Sequence, residues 1–281
     1  MRASPDTFSQ EFRKPFFGLR QKFALFLSVA GVVLLLSVLK GGIHWQGLEF
    51  ISLNTLLTSG IGGALFILGF LLSGVLSDYK EADRLPAEIR VALEGINGDV
   101  AAFEALNPSF DGQACREILI DIVHRLRQGL GREAGYMDLV PALEAIDRLS
   151  AVYLTLERLG CPNNYVVRLR TLQDSLRRSI VRIYHIQRVQ FVPSVHVLAQ
   201  TLVAFIILLL LFLKTEGSPE SMLMFGFISF LFVYALYLIQ VLEQPFRKGH
   251  ATLDDVSLFL TTDFARKLEQ SGYAPATVPE T

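Results

Sequence analysis

A glycine and two phenylalanines stand four residues apart in an apolar stretch in the first third of the chain: Gly62, Phe66 and Phe70. In a helix, residues at this spacing share one face. The edge of a phenyl ring is partly positive, so such a face can attract an anion weakly. The alternative is a stripe that faces lipid or a protein core, and an isolated helix would favour it. The surrounding elements must decide between the two.

The three residues belong to one of four long apolar segments. These cover residues 23–39, 50–77, 191–213 and 221–242, and only the third contains a side chain that can be charged near neutral pH, that of His196. A hydrocarbon core about 30 Å thick is crossed by about 20 apolar residues in a helix, so the sequence predicts four transmembrane helices. The second segment would reach about 42 Å as a helix and should tilt or extend beyond the lipid.

Lysine and arginine predict the orientation. They are concentrated in residues 1–22, after residue 77 and after residue 242, whereas the loops between paired helices contain only Lys40 and Lys214. The positive-inside bias therefore places both termini and the middle segment in the cytoplasm, in a multi-pass protein of the plasma (inner) membrane. The predicted divisions are a tail (1–22), two membrane helices (23–77), a cytoplasmic helical domain (78–190), two further membrane helices (191–242) and a tail (243–281).

The middle segment has the pattern of a helical domain. Breaks are expected near Asn107-Pro108, within 129–135 and at Gly160-Cys161-Pro162, between helices that end near 106, cover 113–130 and 138–159, and begin after 163. Apolar residues recur there every three or four positions. The last helix is rich in arginine, with Asp174 the single acid between residues 158 and 192. These arginines either pair with acidic neighbouring helices, which is favoured, or line an aqueous path.

Three short motifs occur in order along the chain. Leu68-Gly69-Phe70 leads into Asp78-Tyr79-Lys80 and Leu85-Pro86, Phe191-Val192-Pro193 opens the third apolar segment, and Glu243 precedes Pro245-Phe246 after the fourth. Together with the order of two spans, a helical block and two spans, they resemble the bestrophin family. The resemblance extends over about residues 20–260, and its sharp motifs cover only 66–86 and 241–255. It implies an all-α, bestrophin-like membrane fold.

The resemblance also implies a function, that of a homopentameric ion channel in the lipid bilayer. Its pore neck would be formed by Gly62, Phe66 and Phe70, where five copies make an apolar ring with mild affinity for anions that can gate by dewetting. We therefore expect passive conduction of small inorganic ions, with chloride preferred. Further expected sites are a second constriction near Val189, Phe191 and Val192, charges at the inner mouth on Asp78 and Lys80, and a gating or packing motif of Glu243, Pro245 and Phe246.

The chain departs from the family at several of these positions. Many members have a bulky aliphatic residue where Gly62 stands, so this neck is shorter or wider. The dense acidic run that binds calcium in animal members is reduced to Asp254 and Asp255, so we expect no calcium activation, no metal site and no cofactor. Five copies of Asp78 at the inner mouth would favour cations, which leaves a cation-selective channel of the same fold open.

Other classes of function were weighed. A net charge of −1 does not indicate nucleic-acid binding, and no catalytic motif predicts an enzyme. A non-conducting membrane scaffold, which binds a partner through its cytoplasmic helices, remains an alternative. A proton-driven stator subunit shares the order of spans but needs an acidic element that the third and fourth segments lack. His196 and Gln200 share a helix face, where a proton relay is less expected than a neutral histidine.

Overall fold

In a computed structural model, the described residues are 14–130, 136–188, 193–215, 217–243, 245–246 and 256–270. Within these ranges the chain forms helices joined by short connections, with one isolated β-bridge between Ile51 and Leu213. The helices are α1 (Lys14–Trp45), α2 (Thr55–Leu106), α3 (Gln113–Gly129), α4 (Tyr136–Arg158), α5 (Asn163–Arg188), α6 (Pro193–Phe212), α7 (Pro219–Leu242) and α8 (Phe259–Gln270).

Four of these helices are long and apolar enough to cross a bilayer. The spans are Leu25–Trp45 in α1, a stretch of α2, Ser194–Phe212 in α6 and Pro219–Leu242 in α7. The predicted fold class, an all-α membrane protein with four transmembrane helices, is confirmed. The chain divides into two compact units. The membrane unit includes described residues 14–79 and 193–243, and the helical unit includes 80–188, 245–246 and 256–270.

The core of the membrane unit lies between α2, α6 and α7. Leu68 of α2, Val203 of α6 and Phe232 of α7 are buried in one apolar cluster, with further residues of the same helices around them. α1 packs against α7 and α6. Because lipid is as apolar as these side chains, shape-matched packing, more than exclusion of water, holds the four helices together.

The start of α2 differs from the sequence prediction. Residues 50–54 were expected to begin the second membrane helix, but the helix begins at Thr55. The backbone N–H groups of Phe50 and Ile51 donate to the Phe212 carbonyl, which holds this segment extended beside the end of α6. The Asn54 side chain then accepts a hydrogen bond from the Leu57 N–H at 2.8 Å and caps the new helix. The apolar segment 50–77 is therefore longer than one membrane span because its first five residues form a loop and only the rest belongs to the helix.

The helical unit is built by the second half of α2 together with α3, α4 and α5. α3 packs on α4, and α4 packs on α5. Fully buried aliphatic and aromatic residues form its core: Ile89, Leu93, Ile96, Leu119, Ile122, Leu126, Ile146, Leu149, Tyr153, Leu176, Ile180 and Ile183. The observed helix ends at Leu106, Gly129 and Arg158 lie at the predicted breaks. Gly160, with φ +82°, makes the turn before α5.

A helix in the tail was not predicted. α8 lies within residues 243–281, which were described from sequence only as a tail, and it buries Thr261, Phe264 and Ala265. The guanidinium of Arg90 lies 5.0 Å from the centre of the Phe264 ring and donates to the Leu260 carbonyl at 2.8 Å. Apolar residues at positions 260, 264 and 268 are the pattern from which this helix could have been found.

Candidate functional site

The membrane part of α2 has two unlike faces. Ala64, Leu68, Leu71 and Val75 are buried in the core of the membrane unit. Phe66 and Phe70 point the opposite way and are 76% and 72% exposed within one chain. Since a helix turns about 100° per residue, the two phenylalanines lie on the side away from the packed stripe. The structure thus places the predicted residues together on a surface that the chain itself leaves uncovered.

Four glycines in the membrane part of α2 are not needed for packing inside one chain. A Cβ atom added to Gly60, Gly62, Gly63 or Gly69 would meet no atom within 4 Å. Glycine normally weakens a helix, by about 1 kcal/mol relative to alanine. Four such positions in one span, all bordering open space, would allow the close approach of another helix or leave room for a wide passage.

Two residues on the same face were missed by the sequence analysis. Ser73 and Ser77 are exposed and follow Phe70 at a spacing of three and seven residues, so they continue its line along α2. A hydroxyl group both donates and accepts hydrogen bonds, so it can replace water around an ion. The spacing was readable in the sequence. We call Gly62, Phe66, Phe70, Ser73 and Ser77 the open face.

Asp78 and Lys80 are both exposed, and neither forms an ion pair within the part of the chain that the structure describes. Asp78 follows Phe70 by eight residues, which is about 12 Å along the helix. The structure thus leaves both charges available to solvent or to other molecules, and their role at an inner mouth remains a prediction.

The Glu243, Pro245 and Phe246 motif lies in two differently packed places. In the membrane unit, the Glu243 carboxylate is nearly buried and lies 3.1 Å from Nδ1 of His196. Nε2 of His196 in turn lies 2.8 Å from the Gln200 side-chain nitrogen. In the helical unit, the side chain of Phe246 is buried and its carbonyl accepts a hydrogen bond from Gln187. A gating role for these residues remains a prediction.

The constriction candidates Val189, Phe191 and Val192 lie outside the described residues.

Most of the arginines described on α5 pair with acids of neighbouring helices. Arg168 lies 3.2 Å from Asp99, and Arg182 holds Glu81 with two hydrogen bonds of 2.7 and 2.8 Å. Arg170 pairs with Glu157, and Arg177 pairs with Asp147. These contacts favour the interpretation of a paired, solvated face over that of a basic wall. Arg178 differs, because it has no partner among the described residues.

A buried ion pair connects α1 to the loop that follows it in the membrane unit, and the sequence did not reveal it. Lys40, counted above only as a loop charge, is fully buried; its Nζ lies 2.6 Å from the Glu49 carboxylate and donates to the carbonyls of Leu211 and Leu213. The same carboxylate accepts two hydrogen bonds from Thr215 and contacts Nδ1 of His44. We call Lys40, His44, Glu49 and Thr215 the loop cluster.

The charge state of Glu49 follows from these contacts. Burial of the carboxyl raises its pKa, but the hydrogen bonds from Lys40, Thr215 and His44 outweigh burial and lower the pKa of Glu49 to about 2. The carboxylate therefore stays charged at any physiological pH and matches the Lys40 ammonium. The cluster joins the end of α1 to both loops of the membrane unit.

The remaining reactive side chains give no second candidate. Among the described residues, no three His, Cys, Asp or Glu side chains are grouped closely enough to hold a metal ion. Asp254 and Asp255 lie outside those residues. Cys115 and Cys161 are unbonded and buried, and burial raises the pKa of the Cys115 thiol to about 12. Such thiols are poor nucleophiles.

Similar solved structures identify the fold. A crystal structure of a bacterial bestrophin homolog from Klebsiella pneumoniae superposes with a TM-score of 0.71 at 16% identity, over 89% of this chain and 100% of that one. Two single-residue variants of a bacterial bestrophin homolog from the same organism give TM-scores of 0.66 and 0.69 at 18% and 15% identity, over 90% and 87% of this chain and 100% and 97% of theirs. No protein-family model and no curated protein matches the sequence significantly. The chain has a bestrophin-like fold.

Proposed function

We propose that this chain forms a homopentameric ion channel that conducts anions passively, with chloride as the principal ion. The open face of α2 lines the neck of its pore. The channel resides in the plasma (inner) membrane with both termini in the cytoplasm, and residues 78–190 enclose its cytoplasmic entrance. Val189, Phe191 and Val192 contribute a second constriction there.

The observation that carries the proposal is the exposure of Phe66 and Phe70 on the side of α2 opposite to its core. A stripe that faces lipid needs neither glycines nor serines, yet Gly62 and Ser73 lie on the same face as the two rings. Around a shared axis, the rings make a short apolar throat, and the hydroxyls of Ser73 and Ser77 offer hydrogen bonds to an ion beyond it. The bestrophin-like fold supports the arrangement.

Anion preference follows from the ring geometry. Phenyl edges turned to the axis present partial positive charge, and the neck contains no charged side chain that would hold one ion too tightly. The second candidate is a cation channel with the same neck, which the exposed carboxylate of Asp78, without an ion-pair partner among the described residues, favours. Five such carboxylates would raise the local concentration of cations.

The test is ion flux through the purified protein in liposomes. Wild type should release chloride down a gradient, and the double variant Phe66→Ala, Phe70→Ala should conduct several-fold more because the throat is wider. Leu34→Ala, a similarly exposed residue on α1, is the matched control and should leave the flux unchanged. Reversal potentials in asymmetric sodium chloride separate anion from cation conduction, and Asp78→Asn should move them if the carboxylate matters.

Two results would reject the proposal. A folded, membrane-inserted protein that passes no ion, as wild type or as the double variant, would make it a non-conducting scaffold. A mass in detergent that corresponds to a monomer would exclude a pore around a shared axis. A closed oligomer of another number would keep the pore but correct the pentamer.

A further inference from the structure

A cavity of about 370 Å³ lies in the helical unit between α2 and α5. Its wall on α2 is formed by Glu81, Arg84 and Glu88 around the buried Leu85, and its wall on α5 includes Arg178 and Arg182. The cavity is partly open to solvent and lined by charged and hydroxyl groups, so it suits a small polar ligand better than an apolar one.

The charges of this cavity are unequally satisfied. Glu81 accepts two hydrogen bonds from the Arg182 guanidinium, and Glu88 accepts one from the Ser179 hydroxyl at 3.3 Å. Arg84 and Arg178 form no hydrogen bond or ion pair with any described residue. Both acids therefore have partners, whereas two guanidinium groups that face the same space from different helices have none.

The guanidinium groups of Arg84 and Arg178, without partners among the described residues, indicate which ligand would fit the cavity. Guanidinium is planar and permanently charged, and its fork of N–H donors matches the oxygens of carboxylate and phosphate groups. A tetrahedral oxyanion between Arg84 and Arg178 could accept from both, with the Ser175 hydroxyl of the same cavity as an additional donor. A cation would instead meet two unpaired positive charges.

We propose that this cavity is a binding site for a phosphate-type oxyanion, held by Arg84 and Arg178. The phosphate comes either from solution or from a lipid headgroup. Arg84 follows the last residue of the uncharged run, Ser77, by seven positions, which is about 10 Å along a helix and thus close to the outer edge of a headgroup layer about 5–8 Å thick. The site does not depend on the conduction of ions.

The first arm of the test uses inorganic phosphate. Phosphate is titrated onto the purified, delipidated oligomer, with sodium chloride at equal ionic strength as the reference, and the unfolding temperature is followed. A ligand that binds only the folded protein raises this temperature with its concentration. Phosphate should raise the unfolding temperature of the wild type more than chloride does. Arg84→Gln or Arg178→Gln should raise the apparent Kd for phosphate at least tenfold.

The second arm uses lipid. The protein is placed in nanodiscs of phosphatidylcholine with or without phosphatidic acid, and the lipid that stays bound after extraction is counted by native mass spectrometry. Retained phosphatidic acid that is lost in Arg84→Gln and Arg178→Gln, without a response to free phosphate, assigns the site to the headgroup. A response to free phosphate assigns it to a soluble ligand.

The matched control is Arg158→Gln, because Arg158 is also exposed and without a described partner but lies on α4, outside the cavity. It should bind both probes as wild type does. The proposal is overturned if neither probe distinguishes wild type from the two cavity variants. It is equally overturned if Arg158→Gln loses as much binding as they do, since that result indicates a general effect of surface charge.

Discussion

The loop cluster and the open face differ in how their side chains are packed. In the loop cluster, a lysine and a glutamate are buried and every charge has a partner within one chain. On the open face of the same unit, two phenylalanines are about three-quarters exposed. The loop cluster is therefore complete within one chain. The open face has no such partners within the chain, and in the proposed channel it is covered by the pore and by other copies.

The contrast also separates stability from function. A buried ion pair links α1 to both loops, so its removal should lower the free energy of unfolding. The open face contributes almost nothing to the packing of one chain, so changes there should appear in ion flux instead.

Lys40→Met should destabilise the protein by about 3–5 kcal/mol, because it leaves the Glu49 carboxylate buried without its cation. Denaturant unfolding of the purified protein in detergent measures the loss. The double variant Lys40→Met, Glu49→Gln is the control and should recover a large part of the stability, since neither buried charge remains. If the single variant unfolded like wild type, the loop cluster would not be a stabilising element.

Leu68→Ala and Phe66→Ala compare the two faces of α2 directly. Leu68 is fully buried, so its truncation should cost about 2–5 kcal/mol through the cavity it leaves. Phe66→Ala removes a larger side chain from an uncovered surface and should change stability by no more than about 0.5 kcal/mol, while it alters ion flux. The same unfolding assay measures both. A greater loss with Phe66→Ala would mean that the open face is packed.

Protonation of Glu49 should have a smaller effect on stability, and this effect should depend on pH. Its pKa in the folded protein, about 2, is below the ordinary value of 4.5, so the stability it contributes is complete above pH 4.5 and is lost as the pH falls towards 2. The loss should be smaller than that of Lys40→Met, because Thr215 can still donate to the protonated carboxyl. Unfolding temperatures of wild type and Glu49→Gln should converge between pH 4.5 and 2. A constant difference across that range would contradict the assignment.

Much of the fold was predictable because it depends on local pattern. The four apolar segments and the breaks at Asn107 and Gly160 follow from composition and from residues that end helices. The start of α2 at Thr55 was not predictable, because it depends on hydrogen bonds to Phe212, far along the chain. The loop cluster was missed for the same reason, since Lys40 meets carbonyls about 170 positions away.

The candidate site was predictable only in part. The spacing of Gly62, Phe66 and Phe70 puts them on one face of a helix, whatever surrounds it. On which side α2 packs could not be read from the sequence, because the span has no charged side chain and its glycines and serines fit a packed face as well as an exposed one. The partners of the arginines on α5 likewise depend on which acidic helix lies beside each one.

The most direct test of the account is whether water reaches the open face in the assembled protein. Phe70→Cys is compared with Leu34→Cys, which stands on α1 and is 67% exposed, close to the 72% of Phe70. Cys115 and Cys161 are buried and should stay silent. A charged, water-soluble thiol reagent should change ion flux through Phe70→Cys liposomes and leave Leu34→Cys unaffected, whereas a lipid-soluble maleimide should label Leu34→Cys. If the charged reagent spared Phe70→Cys while the lipid-soluble one labelled it, the open face would lie against lipid and the central claim would be wrong.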